Sequence, residues 1–361
     1  MSKEAENPFD EPDLLGAPVM RAAYSDRTAW LMSAMSELAY YRFEDGDMVV
    51  KLATELAKLN GVDAIESKLK KILSGTVGGG NEETLKAILN VAGFTLLKTY
   101  NREDTQAFLA RRNGDEIGML VLAFRGTEMN PRDIHSDANA VLTTLSGEEK
   151  VHSGFLKAFN HVSDAIADDL AQNKGIPVYI TGHSLGGALA VMATRMLVSD
   201  SQGACYTFGG PRVGNAKVDD QIKTPIYRIV NSADLVPRVP PAFIITPLIM
   251  LTNLLHLTVI SNFLRRFKGY VHYGDMRYLN HVDPGSDERF NGLVLHSNPA
   301  LPIRAGWVIR RWLATSGKAA ATDHSISLYR KKLKAYAISR RKIGGKVTLP
   351  KAESVGDKDN S

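Results

Sequence analysis

One stretch limits the fold of this chain more than any other. Val178-Tyr179-Ile180 is an apolar run that leads into Gly182-His183-Ser184-Leu185-Gly186, followed by the small residues Gly187-Ala188-Leu189-Ala190. The pattern reads as a buried strand, a tight turn and a closely packed helix, which together push the turn serine off the sheet edge with its hydroxyl free. Gly182 and Gly186 remove the Cβ atoms that would collide where strand and helix nearly touch. The helix N-terminus lies under the serine, so the Leu185 N–H can face a developing oxyanion. Ser184 is therefore the candidate nucleophile, against the alternative of an ordinary glycine turn.

A serine nucleophile needs a base and an acid to orient it, and after a turn of this kind they follow in the order acid, then histidine. Tyr227-Arg228-Ile229-Val230 reads as a short buried strand, and Asp234 lies just past its end. Asp234 reads either as the orienting acid or as a turn aspartate beside Pro237. Asp219 and Asp220 sit in a polar helical stretch. Five histidines lie downstream: His256 inside an apolar segment, on a helix face; His272 in a Tyr- and Gly-rich turn; His281 and His296 among loop residues; and His324 just before the amphipathic run Ser325-Ile326-Ser327-Leu328-Tyr329. Position alone leaves His324 level with the other four combined.

Upstream, Gly118 to Phe124 is almost continuously apolar and predicts a strand buried on both faces. It ends in Arg125-Gly126-Thr127. A hydroxyl residue after such a strand offers an N–H and an O–H, so Thr127 and the Leu185 N–H are the candidate oxyanion donors. Taken alone, this feature reads more readily as a plain strand-ending turn.

Six segments together carry a resemblance. They are Phe124-Arg125-Gly126-Thr127, Val151-His152-Ser153-Gly154-Phe155, Thr181 to Ala188, Thr207 to Asn215, Asn231 to Pro237, and Asp323-His324. In this order they resemble the class 3 lipase family, the fungal-type lipases and their relatives. The resemblance implies an α/β-hydrolase fold: a mostly parallel central sheet flanked by helices, with an N-terminal helical addition. It implies Ser184 as nucleophile, Asp234 as acid, His324 as base and Thr127 as oxyanion residue, with Asp137 helping to position the oxyanion segment. No cofactor or metal is implied. The expected reaction is hydrolysis of carboxylic esters in acylglycerols or related lipids. The alternatives are a phospholipase A acting on membranes, as an effector, and a non-catalytic lipid-binding protein.

Two stretches depart from the family pattern. Residues 128–136, where fungal relatives carry an apolar lid, are polar here. Between acid and base, Phe243 to Ile260 is almost wholly apolar and is followed by Arg265, Arg266 and Lys268. Three readings stay open: a membrane span, opposed by Pro247, Asn253 and His256; buried core; or a lid or membrane-dipping element over residues 240–268.

The other expectations follow from composition. With 361 residues, 44% of them hydrophobic, the chain can bury one large core. We therefore expect one domain over 21–343, with 21–90 the helical addition, between disordered tails at 1–20 and 344–361. Helices are predicted at Thr28–Tyr41, Met48–Leu59 and Ile65–Leu73, a flexible connector at Gly78-Gly79-Gly80, and strands at Phe94–Tyr100, Thr105–Arg111 and Ala204–Phe208. Asn113-Gly114 marks a hairpin. The single cysteine, Cys205, rules out an intramolecular disulfide and reads as packing. No signal-peptide pattern precedes Leu15, so the expected location is cytoplasmic, with any export by a signal-independent route. Ser325 to Pro350 holds no acidic residue and many cations, reading as a solvated helix face or as attraction to anionic membrane. Without interleaved aromatics it does not read as a nucleic-acid surface.

Overall fold

The computed structural model describes residues 7–16, 22–41, 82–103, 105–112, 118–126, 141–240, 242–282, 290–315 and 322–344. Helix α1 (Asp26–Leu38) is capped by Ser25, whose side chain accepts the Thr28 N–H, and α2 (Glu82–Val91) precedes the strands β1 (Phe94–Arg102), β2 (Thr105–Arg112) and β3 (Leu120–Phe124). A two-stranded ribbon, β4 (Leu142–Ser146) and β5 (Glu149–His152), leads into α3 (Ser153–Asn160) and α4 (Ser163–Ala171). His152 caps α3 by accepting the Gly154 and Phe155 N–H groups at Nδ1. Then follow β6 (Val178–His183), α5 (Leu185–Leu197), β7 (Cys205–Phe208), the short α6 (Ala216–Asp219) and β8 (Ile226–Asn231). The remaining elements are α7 (Ala242–Leu254), α8 (Thr258–Arg265), β9 (Asp275–Leu279), β10 (Leu295–Ser297), α9 (Leu301–Thr315) and α10 (Ile326–Gly344).

Eight strands form one sheet in the order β1-β2-β3-β6-β7-β8-β9-β10. From β3 to β9 every neighbouring pair is parallel, while the edges β1-β2-β3 and β9-β10 are antiparallel. Helices cover both faces, so strand residues alternate between two cores. Tyr179 and Tyr206 pack with α1, α2 and α10, whereas Ile180 and Cys205 pack with α3, α4 and α5. Burial on both sides is why β3, β6 and β7 lack polar alternation. Burial pushes the Cys205 thiol up to about 12, as a packing residue requires. This is the α/β-hydrolase arrangement expected from the sequence.

Several expectations need correction. Residues 7–16, assigned above to a disordered tail, are anchored: Phe9 and Leu14 are buried in the α1 core, and Pro12–Leu14 form a 3-10 turn. Helix α1, part of the expected helical addition, packs directly against the sheet. Trp30, Leu31 and Met32 are wholly buried, and Ser36 Oγ lies 2.8 Å from Thr181 Oγ1 on β6. Much of the charge of the basic helix α10 is matched within the chain. Its buried Arg330 pairs with Asp10 and Glu37, while Lys334, Arg340 and Arg341 meet Asp10, Asp26 and Asp13. The acidic N-terminal segment folds back as its counter-charge. The expected helices at 48–59 and 65–73, the connector at 78–80, the turn at 113–114 and the tail beyond 344 lie outside the described residues.

The apolar segment between acid and base is not core. It forms the α7–α8 hairpin, with Leu254 75% and Val259 82% exposed. Among the described residues no helix is long and apolar enough to cross a membrane. His256, expected on a helix face, occupies the turn between the two helices at φ 55°.

Candidate active site

Ser184 joins β6 to α5 at φ 58°, ψ −127°, a conformation costly for a residue with a Cβ. Packing on both sides imposes it. A Cβ on Gly182 would collide with the Gly186 backbone, and one on Gly186 with the end of β3 at Phe124 and Arg125. The Ser184 N–H donates to Phe208 O at 3.0 Å, and Ser184 O accepts the Gly187 N–H at 2.9 Å. The Leu185 N–H opens α5, where backbone donors have no intrahelical partner.

His324 Nε2 lies 2.9 Å from Ser184 Oγ, and its Nδ1 lies 2.9 and 3.0 Å from the two Asp234 carboxylate oxygens. A carboxylate only accepts, so Nδ1 carries the proton and Nε2 is free to accept the Ser184 hydroxyl proton. Asp234 is fully buried at the C-terminal end of β8. Its Oδ1 accepts the Val236 N–H at 2.9 Å and its Oδ2 the Tyr329 hydroxyl at 2.7 Å. Burial, and then the Asp234 charge, push the Tyr329 phenol well above its ordinary value, which keeps it a donor. Gly209 passes beneath the pair at φ 59°, where a Cβ would strike Asp234 Oδ2 and the His324 ring.

The loops that carry acid and base are stitched together. Asp323 Oδ2 accepts the Ala233 N–H at 2.9 Å, and Asp323 O accepts from Asn231 Nδ2 at 3.0 Å. Buried Lys332 donates to Asn231 Oδ1 at 2.8 Å. His183 adds a contact that sequence reasoning missed. Its Nε2 lies 2.6 Å from the His324 carbonyl, which fixes the proton there, so its Nδ1 accepts the Tyr40 hydroxyl at 2.7 Å. Burial, and then His324, hold the His183 ring well below the ordinary histidine range. It is neutral, and it ties Tyr40, two residues past α1, to the backbone of the base residue His324.

The structure therefore brings Ser184, Asp234 and His324 together, with Leu185 beside them. Of the other four downstream histidines, His256 lies exposed in the α7–α8 turn and three are engaged elsewhere. His272 is buried with Nε2 2.6 Å from Pro237 O, and His281 meets Arg311. His296, expected in a loop, lies on β10 and packs against Trp307. Thr127, Asp137 and the stretch 128–136 lie outside the described residues. Gly126, the residue before Thr127, reaches the elbow: a Cβ there would lie 3.2 Å from Ser184 Cβ.

Residues 121–244 match the family model described as lipase (class 3). A lipase of Rhizomucor miehei is 35% identical over 165 residues, covering 41% of this chain and 44% of its own. A lipase of Caenorhabditis elegans is 40% identical over 144 residues, 35% of this chain and 39% of its own. Among solved structures, a lipase from Rhizopus microsporus var. chinensis is 26% identical, with 65% of this chain and 76% of that one covered, at a TM-score of 0.42. The chain thus spans less than half the length of these two sequence relatives.

Proposed function

Taking the chain as a member of the class 3 lipase family, whose model residues 121–244 match, we propose that it hydrolyses carboxylic esters of acylglycerols or related lipids through an acyl-enzyme. The observation that carries the proposal is the hydrogen-bonded line from Ser184 Oγ through His324 to the buried Asp234. His324 takes the Ser184 proton as Oγ attacks the ester carbonyl. The Leu185 N–H and Thr127 hold the oxyanion, and His324 then protonates the departing alcohol. Water, activated by the same histidine, releases the fatty acid and restores Ser184. Asp234 keeps the imidazole oriented and offsets its transient charge. The substrate is lipid, drawn from a membrane surface that carries anionic headgroups.

The experiment is fatty-acid release by the purified chain from triacylglycerol, diacylglycerol, phospholipid and a soluble short-chain ester. The wild type should cleave acylglycerols, and Ser184→Ala should not. Thr127→Val should lower turnover by about 10²–10³ with little change in KM, whereas Thr127→Ser should keep most of it. Cleavage of phospholipid alone would favour the phospholipase A reading. No release from any ester, with no labelling of Ser184 by a fluorophosphonate, would leave a lipid-binding protein and end the proposal.

A further inference from the structure

The α7–α8 hairpin is built inside out. Its buried positions include the polar Thr252 and Ser261, whereas Met250, Leu251, Leu254, Leu255, Val259 and Phe263 are at least half exposed. The polar side chains of Thr252, Asn253 and Ser261 are satisfied within the hairpin. Ser261 Oγ and Asn253 Oδ1 are 2.6 Å apart, the Leu257 N–H donates to Thr252 O, and Thr252 Oγ1 donates to Leu248 O. Only Ile245 and Ile249, one helical turn apart, are buried among its described aliphatic side chains. Internally satisfied polar groups under an apolar exterior suit hydrocarbon rather than water.

Helix α9 repeats the pattern. Trp307 stacks on Tyr278 at 5.3 Å and Arg304 reaches Met276 Sδ, while Ile303, Ile309 and Leu313 stand exposed. The two apolar elements share a root. Arg212 donates to Arg238 O at 2.7 Å and to Pro240 O, just before α7, and Arg212, Arg238 and Arg304 lie within one another's fields. Among the described residues no carboxylate lies within ion-pair distance of these three guanidiniums, and Arg304 Nε is buried without a hydrogen-bond partner. From Leu235 to Gly274 the chain holds no carboxylate at all, and the exposed Arg265, Arg266 and Lys268 close α8.

We propose that the α7–α8 hairpin and α9 together form the surface by which this chain docks on an anionic phospholipid bilayer. The apolar side chains enter the acyl region. Arg238 and Arg304 at the root, with Arg265, Arg266 and Lys268 at the end of α8, meet headgroup phosphates. Charge selects the occupant, because an unpaired cationic rim around an apolar patch matches anionic lipid and opposes a second copy carrying the same rim. The inference rests on the lipid-ester reading for its purpose, since it names the surface from which that substrate comes. Docking itself requires no Ser184.

The test is co-sedimentation of the full chain, as Ser184→Ala so that lipids stay intact, with phosphatidylcholine vesicles with and without phosphatidylglycerol, at low and high salt. Binding should require phosphatidylglycerol and weaken as salt rises. Leu254→Ser with Val259→Ser, and separately Ile309→Ser with Leu313→Ser, should each weaken it by about tenfold or more. Arg265→Gln, Arg266→Gln and Lys268→Gln combined should weaken it by about a hundredfold. The same substitutions on wild-type Ser184 should leave soluble-ester turnover unchanged, which also reports that the variants fold. Equal binding with and without phosphatidylglycerol, or apolar variants that bind like the parent, would overturn the proposal. So would a dimer in solution that the hairpin variants dissolve without altering vesicle binding. Loss confined to the hairpin variants would remove α9 from the surface. Docking without fatty-acid release on any ester would sink the catalytic reading and leave this one standing.

Discussion

The β6–α5 elbow and the α7–α8 hairpin are both rich in apolar residues, and they meet opposite surroundings. Every residue of β6 is buried, as is Gly186 to Thr194 of α5, whereas most of the hairpin faces outward. Hydrophobicity does not separate them; side-chain size and the backbone each must touch do. In the elbow, Gly182, Gly186 and Gly187 let strand, helix and the end of β3 approach to backbone contact. The hairpin's leucines and Val259 reach no such partner. Apolar content therefore marks a wish to leave water, and only the neighbours decide whether protein or another medium receives it.

The largest effect belongs to the elbow and what it holds. His324→Ala should lower turnover on a soluble ester by on the order of 10⁵-fold or more while leaving the melting temperature near that of the parent. Near-normal turnover would separate the observed geometry from the chemistry. The next contrast is in stability. Gly186→Val drives a side chain into the backbone of Phe124 and Arg125 and should cost more than about 4 kcal/mol, seen in urea unfolding or as loss of soluble protein. Leu254→Ser, at a position 75% exposed, should stay within about 0.5 kcal/mol. Comparable costs at the two sites would erase the distinction.

Between these lies a dependence on pH. His183 and His272 are held neutral, first by burial, then by His324 for one and by Arg228 and Arg212 for the other. Their folded pKa values lie below the unfolded value, so on acidification the unfolded chain takes up protons that the folded chain refuses. The stability they contribute is present above about pH 6.5 and is lost as pH falls below it, by up to about 1.4 kcal/mol per pH unit for each. Urea unfolding on either side of that value measures the slope, and His272→Gln should reduce it. A flat profile would mean that neither ring is sealed from water.

The parts legible in the sequence were those with short-range signatures. The elbow announced itself through residues 178–190, β3 through its unbroken apolar run, and Asp234 through its place after a strand. Choosing His324 among five histidines needed the resemblance, because a loop histidine carries no local mark of the serine 140 residues away. The ties of Tyr40 to His183 and of Tyr329 to Asp234 were invisible for the same reason: each joins elements far apart in the chain. The ion pairs of α10 were not legible because its counter-ions, Asp10, Asp13 and Asp26, lie near the other end of the sequence. Helix α9 escaped notice because its arginines interrupt the apolar run that would have exposed it.

The order in which these parts are made has a consequence for the cell that makes them. Ser184 sits mid-chain, and the elbow can take shape once β3, β6 and α5 have been synthesised. Its base and the tyrosine that steadies its acid lie at positions 324 and 329, on the last described elements. A chain still growing on the ribosome holds Ser184 without its histidine partner, and the hydrogen-bonded line from Ser184 to Asp234 closes only once residues 322–344 have emerged and α10 has docked on α1.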